Sequence, residues 1–230
     1  MNTNPYKING KNINGIYSFI NKMELEGDNL KSSKLYNKFS PFYIIWEKIF
    51  FKIKFGGESN FRNDFLKYIN INDNDIVLET SVGMAENFYF LNKNAKYYGA
   101  DISIGMLKTA FKNIKRWKIN AELNCCEAEN LPYNDNSFDV VYSCGGFKLY
   151  NNKQKAVNEM IRVSKPGRKI FIIDGTDKIV KETYKNISGN EPYNHLTAKI
   201  PLEFIPKEMK NIEWKIVCNG YMYILSFDKL

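Results

Sequence analysis

The stretch from Ile76 to Met106 limits the possible folds of this chain more than any other part of it. A short apolar run ends in an acid, Glu79. A turn of small residues then leads into a helical pattern, and a second apolar run over 97–100 ends in Asp101. This order predicts a strand, a tight turn, a helix and a second strand, with a carboxylate at the end of each strand. In an open parallel sheet, ligands bind at those ends, and a spacing of about 20 residues suits a carboxylate that reaches a ribose. The stretch therefore predicts a site for a nucleoside-containing cofactor, held by Gly83 and Asp101.

The rest of the chain alternates between strand-like and helix-like patterns. Further strands are predicted over 121–126, 138–143 and 169–173, and helices over 61–69, 84–91, 104–118, 153–163 and 178–187. Two last strands, over 212–218 and 221–227, flank Asn219-Gly220, a strong hairpin signal. Alternating strands and helices followed by a hairpin predict a mostly parallel α/β sheet with one antiparallel strand.

The N-terminal part of the chain differs in composition from the remainder. Residues 1–30 are rich in Asn and Gly, and 16–25 are predicted to form a short helix. Residues 33–54 are dense in aromatic side chains, and Pro41 is typical of a helix start. This helix is expected to pack on the sheet, to cover an apolar pocket as a lid, or to do both. We therefore expect an arm with a helical lid over 1–60 and an α/β domain over 61–230.

Charge and composition exclude some classes of function. The 230 residues carry a formal net charge of +8, but the lysines are spread along the chain, so nucleic-acid binding is not favoured. The four cysteines have no CxxC spacing and there is one histidine, so no metal site is expected. No run has the length of a membrane span and the N-terminus has no apolar signal core, which predicts a cytoplasmic protein.

Four phrases together resemble the class I S-adenosylmethionine (SAM)-dependent methyltransferases, and most closely the branch of the ubiquinone and menaquinone biosynthesis C-methyltransferases. They are VLETSVG (77–83), YYGADISIGML (97–107), CEAENLPYNDNSFDVVYS (126–143) and EMIRVSKPGRKIFIID (159–174). The aromatic YNKFSPFY (36–43) also looks like the N-terminal helix of that branch. The resemblance implies a Rossmann-like, doubly wound sheet of seven strands, with the last one antiparallel, an N-terminal helical lid, and SAM as cofactor.

The resemblance also implies roles for nine residues at the cofactor. They are Glu79, Ser81, Gly83, Asp101, Ile102, Met106, Glu127, Ala128 and Ser143. Glu79 would lie near the amino group of the methionine moiety, Asp101 would accept hydrogen bonds from the ribose hydroxyls, and residues 102, 106, 127 and 128 would surround the adenine. Residue 143 would lie beside the methyl donor. The turn departs from the family, because Ser81 and Ala85 stand where glycines are usual and only Gly83 remains.

The methyl acceptor and any general base are less constrained. His195 and Tyr36 are the candidate catalytic residues, and Tyr43, Tyr193 and Asp174 are further possible bases. The aromatic residues at 36–51 favour a small apolar or aromatic substrate. An RNA methyltransferase, or a relative with an impaired turn that acts as a binding or partner protein, stays open as an alternative. A homodimer through the N-terminal arm is a further expectation.

Overall fold

The computed structural model describes residues 5–20, 25–179 and 199–230, with only the backbone given for 35–48. Across these ranges nine strands form one sheet, in the order β1-β2-β5-β4-β3-β6-β7-β9-β8. The strands are β1 (Lys11–Ile13), β2 (Ile16–Ser18), β3 (Ile76–Thr80), β4 (Lys96–Asp101), β5 (Ala121–Cys125), β6 (Val140–Cys144), β7 (Lys169–Gly175), β8 (Lys210–Val217) and β9 (Met222–Asp228).

The centre of the sheet is parallel and doubly wound. β3 pairs in parallel with β4 on one side and with β6 on the other, and the order of the chain reverses at this point. β9 runs antiparallel to β7 and to β8. The predicted α/β class and the antiparallel last strand are therefore confirmed, and β3 is the switch point beside which ligands bind in such sheets.

Two strands from the N-terminal arm raise the count from the seven predicted to nine. Residues 16–18 form a strand paired with β5, so the short helix predicted over 16–25 is wrong there. The reason is local. Asn14 and Gly15 both have positive φ, the backbone of a tight hairpin turn, and they fold β1 back on β2. Ile16 is then buried in the core. The boundary between arm and domain at residue 60 stays a prediction.

Five α-helices surround the sheet in the described ranges: α1 (Gly27–Phe55), α2 (Glu58–Leu66), α3 (Asn87–Phe90), α4 (Ile104–Trp117) and α5 (Lys153–Val163). α1 begins at Gly27 and continues through Pro41, so the helix start predicted at that proline is wrong. α3 is a single turn, shorter than predicted, because Ala85 has a φ of 60° and cannot belong to a right-handed helix. The helix predicted over 178–187 lies mostly outside the described residues.

Alternate residues of the strands are buried in two hydrophobic cores, one on each face of the sheet. Val77, Tyr97 and Tyr142 face the layer of α1, α2 and α4, whereas their neighbours Leu78 and Tyr98 face the layer of α5. This two-sided burial fixes the register of the parallel strands and brings their carboxyl ends to one edge. Among the described residues, no helix is long and apolar enough to cross a membrane.

Candidate active-site cleft

A cleft of about 290 Å³ opens at the carboxyl ends of β3, β4, β6 and β7. Seven of the nine residues predicted at the cofactor line it: Glu79, Ser81, Gly83, Asp101, Ile102, Met106 and Ala128. Glu127 and Ser143 are not among the lining residues. Of the two catalytic candidates, His195 lies outside the described residues and the side chain of Tyr36 is not described, so both stay predictions.

The turn after β3 has a left-handed residue at every second position. Ser81, Gly83 and Ala85 have φ values of 60°, 55° and 60°. The turn thus has the backbone that three glycines would adopt readily, although only one glycine is present. Each of the other two residues carries a backbone cost of roughly 1–2 kcal/mol, which contacts around the turn must offset.

Asp101 holds this turn from the end of β4. Its two carboxylate oxygens accept hydrogen bonds from the backbone N–H groups of Gly83 and Ser103, each at 2.8 Å. Burial raises the pKa of Asp101, and these two N–H groups oppose the rise. The carboxylate therefore lies in the cleft with a fixed orientation and has lone pairs left for a ligand.

Glu79 is a deeply buried acid of the cleft, with 1% of its surface exposed. Its carboxylate accepts hydrogen bonds from Asn87 at 2.6 Å and from the hydroxyl of Tyr142 at 2.8 Å. Burial raises its pKa to about 8, while these two donors and the guanidinium of Arg62 pull the value down. Arg62 itself donates to Asn87 at 2.6 Å, so it reaches Glu79 through that amide.

The cleft is also lined, beyond β5, by an acid that sequence reasoning missed. Glu129 is buried and accepts a hydrogen bond from the backbone N–H of Asn152 at 3.1 Å. The carboxylate of Glu127 instead accepts from Asn29 of α1, at 2.9 Å. Both acids follow the same strand two residues apart, and periodicity does not decide which of them faces a cleft. Asn29 also lines the cleft, so the start of α1 forms part of its wall.

The cleft is also lined by a buried ion pair near β6 and β7 and by an apolar wall. Lys148 and Asp174 form a salt bridge, and their side chains are 10% and 0% exposed. Asp174 also accepts the backbone N–H groups of Lys148 and Gly175, at 2.9 and 2.6 Å. The apolar wall comes from α1, α2 and β9, and its members are Phe50, Phe51, Phe61, Phe65 and Met222. Sequence reasoning named Asp174 as a possible base and missed Lys148.

The chemistry of the cleft fits SAM. The cofactor is a sulfonium that also carries an ammonium and two ribose hydroxyls. Among the acids that line the cleft, Glu79, Asp101 and Glu129 are available as acceptors. Apolar side chains for a flat base come from Ile102 and Met106. The backbone of Gly145 is open on the side where a Cβ would lie, with no atom within 4 Å, so a ligand can approach it closely.

Comparisons with known proteins agree with this chemistry. Residues 78–172 match the methyltransferase domain family. A demethylmenaquinone methyltransferase from Geobacillus sp. (strain WCH70) is 26% identical over 149 residues, which cover 63% of this chain and 64% of that protein, just under two thirds of its length. One from Corynebacterium urealyticum is 24% identical over 236 residues, covering 91% of this chain and 99% of that protein.

Solved structures show the same fold. A SAM-dependent methyltransferase from Aquifex aeolicus has a TM-score of 0.56 at 17% identity, over 78% of this chain and 96% of that one. The [4+2]-cyclase SpnF has a TM-score of 0.62 at 13% identity, over 86% of this chain and 94% of that one. At these identities the likeness is one of fold alone. Together with the four sequence phrases, the doubly wound sheet and the acids of the cleft, the match over residues 78–172 supports a class I SAM-dependent methyltransferase.

Proposed function

We propose that this chain transfers a methyl group from SAM to a small apolar or aromatic molecule. The observation that carries the proposal is that one cleft combines two chemically different sets of lining groups. The first set is the left-handed turn with the acids Glu79 and Asp101, and the second is an aromatic wall with the Lys148–Asp174 pair. Both sets line the cleft at the carboxyl ends of the strands, where donor and acceptor could be held side by side.

The seven predicted residues that line the cleft are the proposed cofactor contacts, with Glu129 added to them. Asp101 would accept the ribose hydroxyls, and Glu79 the ammonium of the methionine moiety. Glu127 and Ser143 would act indirectly, through residues that line the cleft. Glu127 would anchor Asn29 of α1, and Ser143 would act through its contact with Tyr150.

Bound SAM supplies an already activated methyl group. The protein's own contribution is then proximity and orientation, together with exclusion of water from the reacting atoms. The lid formed by α1 and the aromatic wall would exclude water and select a flat apolar acceptor. A base is needed only if the acceptor must lose a proton, and His195 and Tyr36 stay the predicted candidates. The names of the demethylmenaquinone methyltransferase relatives support a quinol-like acceptor.

Calorimetry with SAM tests the cofactor part of the proposal. Asp101→Asn removes the charge and keeps the shape, and a hydrogen bond to a charged group is worth about 1.5–3 kcal/mol. We therefore expect the Kd of SAM to rise by roughly 10- to 150-fold. The matched control is Asp135→Asn, because Asp135 pairs with Arg162 at the surface and does not line the cleft. Absence of any SAM binding to the wild type would refute the proposal.

Methyl transfer separates the substrate classes. Methyl-labelled SAM should be offered with a naphthoquinol and, separately, with total RNA. We expect label in the quinol fraction. Label in RNA alone would favour the RNA methyltransferase alternative, and SAM binding without transfer to either acceptor would favour the impaired relative.

Location and assembly also remain proposals. We propose a cytoplasmic protein that acts without nucleic acid, in line with the dispersed charge of the chain. The homodimer through the N-terminal arm stays a prediction, and β1 is the strand of that arm whose outer edge is unpaired among the described strands. Sedimentation of the wild type beside a variant lacking residues 1–18 would test it.

A further inference from the structure

The hydroxyl of Tyr150 lies directly beneath the turn and joins three other hydroxyl groups. It accepts a hydrogen bond from Ser81 at 2.7 Å and donates one to Thr80 at 2.9 Å, and it lies 3.0 Å from the hydroxyl of Ser143. Thr80 and Ser143 are fully buried and Tyr150 is nearly so. A phenol has one proton and two lone pairs, so Thr80 takes its proton and the two serines donate to it.

Ser81 is the member of this cluster that belongs to the turn itself. Its φ of 60° is unfavourable for serine but not for glycine. The hydrogen bond to Tyr150 is available only while Ser81 keeps a fixed side-chain direction. This side-chain hydrogen bond can therefore stabilise the left-handed backbone of Ser81, which a glycine would adopt without it.

The opposite wall of the turn is shaped to the same side chain. A Cβ on Gly146 would lie 2.4 Å from both Cβ and Oγ of Ser81, closer than atoms can pack. Gly146 has a φ of −118°, which any residue adopts, so the requirement for glycine here is one of space alone. The serine side chain thus occupies the space between Gly146 and Tyr150 that is open because Gly146 has no Cβ.

We propose that Tyr150 is a positioning residue for the cofactor, because it holds Ser81 in the left-handed conformation that the SAM-binding turn requires. The inference rests on the proposed function, since it concerns the same turn. Tyr150 does not act as an acid or base in this arrangement, because its proton and both lone pairs are engaged. Its effect on the cofactor passes through Ser81 and the backbone at Gly83.

A double-mutant cycle on SAM affinity tests the proposal. Tyr150→Phe removes one hydrogen bond to the turn, and we expect the Kd of SAM to rise about 3- to 10-fold. In a Ser81→Gly background the same change should alter the Kd less than about twofold, because glycine adopts the left-handed backbone unaided. Tyr150→Phe also removes the contacts of the hydroxyl with Thr80 and Ser143, so thermal stability should fall in both backgrounds. The Kd should rise in the wild-type background alone, and this contrast separates positioning from a purely structural role.

Tyr133→Phe is the matched control. Tyr133 is also fully buried, and its hydroxyl accepts from Asn124 at 2.9 Å, but it does not line the cleft. It should lower stability and leave the Kd of SAM unchanged. An equal rise in Kd for Tyr150→Phe in both backgrounds, or none in the wild type, overturns the inference. Failure of the wild type to bind SAM would instead overturn the proposed function.

A second pair of variants keeps the test decisive if Tyr150→Phe fails to fold. Gly146→Ala should weaken SAM binding in the wild type, because its methyl group collides with Ser81. In the Ser81→Gly background that space is empty, so the same change should be tolerated. Equal SAM affinity of Gly146→Ala and the wild type would contradict the packing on which the inference depends.

Discussion

The pKa of Glu79 predicts that SAM binding depends on pH. Burial raises this pKa to about 8 in the free protein, so the carboxyl is mostly protonated at neutral pH. An ammonium or sulfonium is attracted by the ionised form, so binding must expel the proton. We therefore expect the affinity for SAM to increase as the pH rises from 6 to 8, and to lose this dependence in Glu79→Gln.

The size of the effect follows from the distance between the pKa and the working pH. At pH 7, one unit below the pKa, about one carboxyl in ten is ionised, and ionising the rest costs about 1.4 kcal/mol. At pH 6 the cost is about 2.7 kcal/mol. The Kd should thus fall about tenfold between pH 6 and 7, and level off above 8.

The same shift has an opposite effect on stability. The folded state keeps the proton on Glu79 between the ordinary value of 4.5 and about 8, whereas the unfolded chain loses it. This contribution to stability is complete below about 4.5 and is lost as the pH rises to about 8. Glu79→Gln mimics the protonated form, so its stability advantage over the wild type should increase across that window.

Calorimetry in two buffers of different ionisation enthalpy measures the proton directly. At pH 7 the wild type should release close to one more proton for each SAM bound than Glu79→Gln releases. The variant also corrects for titration of the cofactor itself. An equal pH dependence in both proteins, with equal proton release, would refute the reasoning.

Two other predictions concern stability and are measured by urea unfolding. Asp174→Asn removes the carboxylate charge that pairs with the buried ammonium of Lys148, which should cost about 3–5 kcal/mol, and adding Lys148→Met should recover part of it. Equal stability of the single and double variants would contradict this. Gly15→Ala places a Cβ 2.5 Å from the ring of Phe111 at a φ of 88°, and should cost more than the roughly 1–2 kcal/mol of a left-handed alanine alone. Gly167→Ala, with a φ of 71° and open space around its Cβ, is the control for that backbone cost.

The central sheet and its acids could be predicted because their signals are local. β3 and β4 are short apolar runs closed by polar residues, and Glu79 and Asp101 are the last or nearly the last residues of these runs. Parallel pairing then brings both to one edge without any further information. The terminal hairpin was predictable for the same reason, since Asn219-Gly220 specifies its own turn.

The missed features depend on partners that are distant in sequence. Lys148 and Asp174 meet because β6 and β7 are neighbours in register, and a lysine after a strand carries no sign of burial by itself. β2 joins the sheet through its pairing with β5, although about a hundred residues separate the two strands. Choosing between Glu127 and Glu129 would have required knowledge of how α1 crosses the strand ends.

The sequence of the turn after β3 resembles the family weakly, but its backbone is one that three glycines would adopt readily. Serine and alanine at its first and third left-handed positions together cost roughly 2–4 kcal/mol, a large part of a typical folding free energy. The supports lie outside the turn sequence: the carboxylate of Asp101 binds the N–H of Gly83, and the hydroxyl of Tyr150 binds Ser81. The turn of the proposed SAM site is therefore maintained by tertiary contacts, so loss of a support should weaken cofactor binding even where the turn sequence is unchanged.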